Sequence, residues 1–255
     1  MWASNEVINK MAIKKKKYTR LCIVFLILLL VVGSFYKYDL ISASTVENCE
    51  NVDCNLIVDI EVIPEYTNKP YVVINNNKTA FSKEDIMTCS YEKYGEFDEL
   101  GRCTSAMACI GVDVLPTEPR ESISHVFPTG WHTIKYDNIE GKYLYNRCHL
   151  IGYQLTGENA NKYNLITGTR YMNVQGMLPF EEMVADYVKE TSNHVVYRVT
   201  PIFEGDNLVA SGVVMEAYSV EDKGKGIEFN VFVYNVQPGI WIDYSNGESY
   251  QYALK

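Results

Sequence analysis

The clearest hydrophobic pattern in the chain lies in residues 143–190, where two strand-like segments precede a helix-like one. Apolar residues alternate with polar ones up to His149, which predicts a strand. Alternation places Arg147 and His149 on one face of this strand and Cys148 on the other. Residues 164–172 predict a second extended segment. Together with the following helix, they form a ββα unit.

The helix is predicted to begin near Pro179, because proline is well tolerated in the first turn. Glu181 and Glu182 follow in the turn where the helix dipole favours acidic side chains. Asn193 is the predicted C-terminal cap. One apolar face follows from helical spacing, and it comprises Phe180, Met183, Val184, Tyr187 and Val188.

The flanking segments predict an α+β fold, with an antiparallel sheet against which the ββα unit and flanking helices pack. Residues 71–74 read as a strand, residues 81–99 as partly helical from a Ser82 cap, and residues 101–119 as irregular. Three β-rich runs, residues 194–203, 208–220 and 227–241, follow the helix with short turns between them. Consecutive strands joined in this way predict an antiparallel meander.

The N-terminal part of the 255-residue chain predicts export. A basic segment (residues 1–20) precedes an apolar run (residues 21–36), and this order places the N-terminus in the cytoplasm. The run predicts either an uncleaved transmembrane signal anchor or a signal peptide cleaved near residues 42–44. Residues 37–60 then read as a linker, and residues 61–255 as the catalytic domain. The expected location is the cell membrane with an extracellular domain, or the medium after cleavage.

Cysteine usage is compatible with export, because six cysteines follow the apolar run and an even number suits an oxidising compartment. Their pairing is open, with Cys49 and Cys54 as the local candidate pair. A zinc site is the alternative, but no CxxC or paired-His spacing is present. A Cys148 thiolate acting with His149 is disfavoured, because neighbouring strand residues point to opposite faces.

The ordered motifs resemble those of the DNA/RNA non-specific endonucleases, a ββα-metal (His-Me finger) nuclease family. The similarity covers residues 70–244 and rests on Asn146-Arg147-Cys148-His149, on the sequence NLITGTRYMN at residues 164–173, and on an early helical Glu. The family motif is Asp-Arg-Gly-His, so this chain replaces both the Asp and the Gly. It also resembles the Asn-Arg-x-His form of Gram-positive secreted and surface nucleases.

The resemblance implies hydrolysis of DNA, with RNA as a second substrate, assisted by Mg²⁺ or by Mn²⁺ as a substitute. No organic cofactor is expected, and the oligomeric state is left open. His149 is the expected general base, since an imidazole with a pKa near 6.5 can accept a proton at neutral pH. Asn173 is the expected metal ligand, with a helix cap as its structural alternative.

The remaining site residues are also expected from the resemblance. Glu181 matches a carboxylate that orders metal-bound water, and Asn164 matches a polar position near the active site. Arg147 and Arg170 are expected to hold the phosphate, with surface ion pairs as the alternative. Asn146, which replaces the family Asp, is also expected to bind the substrate.

The negative net charge of the chain argues against a protein that binds nucleic acids through a basic surface alone. Residues 38–255 contain 16 Lys and Arg residues against 31 Asp and Glu residues, a net charge of −15. Binding by counterion release needs a basic face. Only local cations surround the motif, namely Arg120, Lys135, Lys142, Arg147, Lys162 and Arg170. The alternative is a catalytically weakened nuclease-like binding module. A further alternative keeps the chemistry but makes the protein the nuclease component of a toxin or DNA-uptake system.

Overall fold

A computed structural model describes residues 63–252. The predicted basic tail (residues 1–20), apolar segment (21–36) and linker (37–60) lie outside these residues, as do Cys49 and Cys54. Within residues 63–252, no helix has both the length and the apolar character needed to cross a membrane.

Ten strands and two α-helices make up the regular structure of this region, and the α+β prediction is confirmed. In chain order they are β1 (Tyr71–Val73), β2 (Tyr91–Tyr94), β3 (Ala106–Ile110), β4 (Tyr145–His149), α1 (Tyr153–Thr156), β5 (Leu165–Thr169), α2 (Leu178–Thr191), β6 (Val195–Ile202), β7 (Gly212–Ser219), β8 (Glu228–Tyr234), β9 (Ile240–Ile242) and β10 (Ser249–Gln251).

Six strands form one antiparallel sheet in the order β1-β8-β7-β6-β3-β2. The predicted meander is confirmed as β6, β7 and β8, which are neighbours in this order. Their β-branched and aromatic residues suit a pleated surface buried on both faces. On one face, Val213, Met215 and Val231 belong to the same buried cluster as Val184 and Val188 of α2. The sheet is therefore the platform that supports the long helix.

A buried ion pair lies within the sheet, where Arg198 of β6 donates from Nε and Nη2 to Oε2 of Glu216 on β7, at 3.1 and 2.8 Å. The other carboxylate oxygen accepts from the backbone N–H of Ala80 and from Asn230 Nδ2. Both charged side chains are almost completely buried. Glu216 therefore depends on these donors in place of water.

Replacing Arg198 with Met should lower the free energy of unfolding by about 3–5 kcal/mol, because it leaves the Glu216 carboxylate buried without its counter-charge. Urea unfolding at pH 7 measures this loss. Lys78→Ala is the matched control, because it breaks the exposed Lys78–Glu228 pair and should cost less than about 1 kcal/mol. Equal losses in the two variants would contradict the role assigned to Arg198.

The ββα unit is present as predicted. Strands β4 and β5 pair antiparallel, with His149 opposite Leu165 and Arg147 opposite Thr167. A π-helical segment, Met172–Met177, then leads directly into α2. A Cβ atom at Gly176 would lie 2.3 Å from Val233 Cγ1, so only glycine allows this segment to approach β8 so closely.

Two predictions for the segments before the motif are wrong. Residues 81–99 form a turn and strand β2, although Ser82 and Asp85 do exchange the hydrogen bonds typical of a helix start. Residues 101–119 are not wholly irregular, since they contain β3, a fully buried strand of the main sheet. A short strand buried on both faces lacks alternation, and its pattern did not identify it.

Two details of α2 also differ from the prediction. Its C-terminal residue with a left-handed backbone is Ser192, one residue before the expected Asn193. Met183, placed on the apolar face by spacing, is exposed, whereas Phe180, Val184 and Val188 are buried. The buried stripe is narrower than the apolar pattern because the sheet contacts only one side of the helix.

The cysteines do not all form disulfides. Cys103, Cys109 and Cys148 are free and buried, whereas Cys89 is disulfide-bonded. Burial raises the pKa of the Cys148 thiol well above its usual range, so this side chain remains protonated and is a poor nucleophile.

Candidate active site

One cavity of about 840 Å³ lies beside the ββα unit. Strand β4, the start of the helix and the loop at residues 120–133 supply its walls. Six of the seven predicted site residues line it: Asn146, Arg147, His149, Arg170, Asn173 and Glu181. The structure thus brings together residues that are up to 35 positions apart in the sequence.

His149 is buried and held at both ring nitrogens. Its Nε2 lies 2.7 Å from the carbonyl oxygen of Asn159, which can only accept, so Nε2 carries the proton. Nδ1 lies 3.4 Å from Arg120 Nη2 and carries the lone pair. Burial lowers the pKa of His149 to about 4, with Arg120 adding to the shift and the Asn159 carbonyl opposing it. The ring is therefore neutral at pH 7, and Nδ1 can act as a base when a water molecule replaces Arg120 as its hydrogen-bond partner.

Glu181 is the buried member of the predicted Glu pair, and Glu182 is exposed. Burial raises the pKa of the Glu181 carboxyl to about 8, although Arg120, the Gln154 side chain and the Gly152 backbone N–H favour the ionised form. Gly152 must lack a side chain here, because a Cβ atom would lie 2.7 Å from the Glu181 carboxyl carbon. A neighbouring cation would stabilise the charge that burial disfavours.

Asn173 lies in the π-helical segment at the edge of the cavity. Its Oδ1 accepts a hydrogen bond from the Cys148 thiol, with the sulfur and oxygen 2.9 Å apart. An amide oxygen has two lone pairs, so one can accept from the thiol while the other serves a metal ion. Cys148, where the family motif has Gly, therefore orients the amide of Asn173.

The guanidinium of Arg147 is already engaged by the protein. Its Nε donates to the carbonyl oxygen of Val126, and its Nη2 donates to that of Ser124 at 2.7 Å. The group lies 4.0 Å from the ring centre of Trp131 and 5.2 Å from that of Phe127. Both N–H groups of Nη1 and one of Nη2 have no partner in these two bonds, so the edge formed by Nη1 and Nη2 can still offer two donors to a phosphate. Arg147 thus holds the loop that forms one wall of the cavity and keeps donors for the expected phosphate contact.

Arg170 and Asn146 both line the cavity, on the side of the β4–β5 pair. Arg170 Nη2 lies 3.7 Å from Glu140 Oε2, and the Glu140 side chain is largely exposed. Such a pair is weak, so Arg170 can turn towards an incoming phosphate at little cost.

Asn164 is placed differently from the other predicted site residues. It is completely buried and is absent from the cavity wall. Its Oδ1 accepts from the backbone N–H of Ile151 at 2.8 Å, and its Nδ2 donates to the Ile151 carbonyl at 2.9 Å. These bonds tie the chain just after His149 to the start of β5. We therefore assign Asn164 to positioning the strand ends rather than to contact with substrate.

Arg120 was not among the predicted site residues, yet it lines the cavity and contacts His149. Its charge also favours the ionised form of Glu181. It lies 29 residues before His149 in an irregular segment, where no periodic pattern exists. The only signal in the sequence was its presence among the local cations near the motif.

The donors around the cavity fit a divalent cation with few protein ligands. Among residues 63–252, no group of three or more His, Cys, Asp and Glu side chains is arranged to hold a metal ion. Asn173 Oδ1 and the buried Glu181 carboxyl are hard oxygen donors on one cavity, and Mg²⁺ commonly retains several waters beside one or two such ligands.

Residues 82–221 match the family model described as "DNA/RNA non-specific endonuclease". The matched segment is more than half of the chain and contains β4, β5, α2 and every residue of the predicted site.

Solved nuclease structures are similar to this chain over most of its length. NucA from Streptococcus agalactiae with no metal bound is 26% identical, with a TM-score of 0.66, covering 76% of this chain and 92% of NucA. NucA with a magnesium ion bound is also 26% identical, with a TM-score of 0.65 and coverages of 74% and 90%. Sda1 nuclease with a bound zinc ion is 28% identical, with a TM-score of 0.54 and coverages of 64% and 82%.

Proposed function

Because the chain belongs to the DNA/RNA non-specific endonuclease family and is therefore a nucleic-acid hydrolase, we propose that it is an exported, Mg²⁺-dependent endonuclease. It cuts DNA, and RNA as a second substrate, with little sequence preference. The observation that carries this proposal is the His149 side chain, whose Nδ1 is the basic atom of a cavity that also contains Asn173 and Glu181.

The residues of the cavity divide the hydrolysis between them. His149 Nδ1 accepts a proton from the attacking water as its oxygen bonds to phosphorus, while Nε2–H remains fixed on the Asn159 carbonyl. The bond from phosphorus to the 3′ oxygen breaks, which leaves a 5′-phosphate and a 3′-hydroxyl. Arg120 and Arg170 stabilise the negative charge that develops on the phosphate.

Asn173 and Glu181 are the residues proposed to hold the divalent cation. A cation held there would supply Lewis-acid stabilisation of the charge on the leaving oxygen and an acidic proton source for it. Mg²⁺, with Mn²⁺ as a substitute, suits the amide and carboxylate oxygens better than a soft metal ion does. NucA with magnesium and Sda1 with zinc are neighbours that bind different ions, so the choice of metal needs a direct test.

Plasmid DNA should be cut by the purified protein when Mg²⁺ or Mn²⁺ is present and should remain intact in EDTA. Restoring Mg²⁺ should restore cleavage, and Zn²⁺ at the same concentration should support less of it. Conversion of supercoiled plasmid to open and linear forms measures the activity. Plasmid binding without cleavage under all three ions would instead favour the alternative of a catalytically weakened binding module.

The proposed location follows from the basic segment (residues 1–20) and the apolar segment (residues 21–36), with the catalytic domain outside the cell. Protease added to intact cells should therefore digest the domain when it is anchored, or the domain should appear in the medium when the segment is cleaved. A domain that is protected from protease and remains with the cytoplasm would contradict export.

A further inference from the structure

Phe127 is an unusually exposed aromatic residue, with 70% of its surface open to solvent. It lines the catalytic cavity and also a second cavity of about 600 Å³. The ring therefore forms the ridge between the two cavities. A single exposed apolar side chain is common on protein surfaces, so the functional argument rests on the position of this ring between two cavities.

The ridge is fixed in place by the protein. Arg147 donates hydrogen bonds to the carbonyls of Ser124 and Val126, on the segment that leads into Phe127. Its guanidinium also lies against the rings of Phe127 and Trp131. A ring whose supporting backbone is held in this way loses little freedom on binding a ligand.

The second cavity offers a cation and further aromatic surface beyond the ridge. Lys162 lines it, and its ammonium lies 5.3 Å from the ring centre of Phe97 and 4.9 Å from that of Tyr163. The rings of Phe97 and Tyr163 are 4.5 Å apart. Phe97 and His125 also line the cavity. A cation beside aromatic rings is the arrangement by which single-strand binding proteins hold a phosphate and stack on the neighbouring base.

We propose that Phe127 stacks on an unpaired nucleobase of a single-stranded substrate, and that the second cavity holds the adjacent nucleotide against Lys162. This inference rests on the proposed nuclease function and specifies its favoured substrate. The chain carries few cations, so stacking supplies affinity that counterion release cannot. In a duplex the base faces are covered by their neighbours, and Phe127 reaches one only if the base leaves the stack.

Phe127→Ala should therefore weaken binding of a single-stranded oligonucleotide by roughly 5- to 100-fold and change binding of the matched duplex little. Phe127→Trp should retain single-strand binding. Binding is measured with Ca²⁺ in place of Mg²⁺, so that cleavage does not interfere. Trp241→Ala is the control, because Trp241 is also an exposed aromatic residue, 45% open to solvent, but lines neither cavity.

A direct signal for stacking comes from 2-aminopurine placed in the oligonucleotide. Its fluorescence should be quenched by the wild-type protein and by Phe127→Trp but not by Phe127→Ala.

The contact between Lys162 and a phosphate is tested by the salt dependence of binding. In Lys162→Met, the slope of log affinity against log salt should become shallower by about 0.7, which is the contribution of one phosphate contact on a single strand. Equal losses on both substrates in Phe127→Ala, or quenching that survives in it, would overturn the proposal. So would an unchanged salt slope in Lys162→Met. Failure of the wild type to cut any substrate would overturn the nuclease proposal alone, because the binding measurements stand without cleavage.

Discussion

Replacing His149 with Ala should lower the rate of phosphodiester cleavage by a factor of about 10² to 10⁴, the usual range for loss of a general base. The neutral ring presents Nδ1 to the cavity, and its Nε2–H is held by Asn159. No other imidazole lines this cavity in the described part of the chain. The attacking water then has no comparable base to take its proton.

Initial rates of plasmid cleavage in saturating Mg²⁺ measure this loss, and circular dichroism checks that the variant is folded. His194→Ala is the matched control, since His194 pairs with Glu221 outside the cavity and should leave the rate within about twofold of wild type. A folded His149→Ala protein that cuts DNA at the wild-type rate would remove His149 from the mechanism.

Replacing Asn173 with Ala should raise the Mg²⁺ concentration needed for half-maximal cleavage by about 10- to 100-fold or more. Loss of a residue that only supports a metal ligand already lowers metal affinity by this factor. Asn173 lines the cavity, and its amide oxygen accepts a hydrogen bond from the Cys148 thiol at 2.9 Å. Asn173→Asp should be milder, because its carboxylate keeps a hard oxygen donor at the same place.

The measurement is cleavage rate against Mg²⁺ concentration for each variant. Gln175→Ala provides the control, since Gln175 is in the same π-helical segment but is exposed and absent from the cavity wall. If both Asn173 variants keep the wild-type dependence on Mg²⁺, Asn173 has only a structural role at the start of the helix.

The sequence identified the ββα unit because its signals are local. Alternation placed Arg147 and His149 on one face of β4 and Cys148 on the other. In the structure, Arg147 and His149 line the cavity, and Cys148 is buried in the core. The three β-rich runs after the helix became β6, β7 and β8 for the same reason. Local signals failed for β3, whose fully buried residues show no alternation, and for residues 81–99, where a helix-start motif is not followed by a helix.

The sequence by itself therefore determined the family, the α+β class and six of the residues that line the cavity, because periodicity and motif spacing act over a few residues. Only the tertiary structure decided what those residues contact. It placed Arg120 beside His149, engaged Arg147 with the loop before Phe127, and buried Asn164 against Ile151. Each of these contacts joins segments separated by 13 to 29 positions, with irregular backbone between most of them. Such contacts depend on how the loops pack on the sheet and helix, and that packing leaves no period in the sequence.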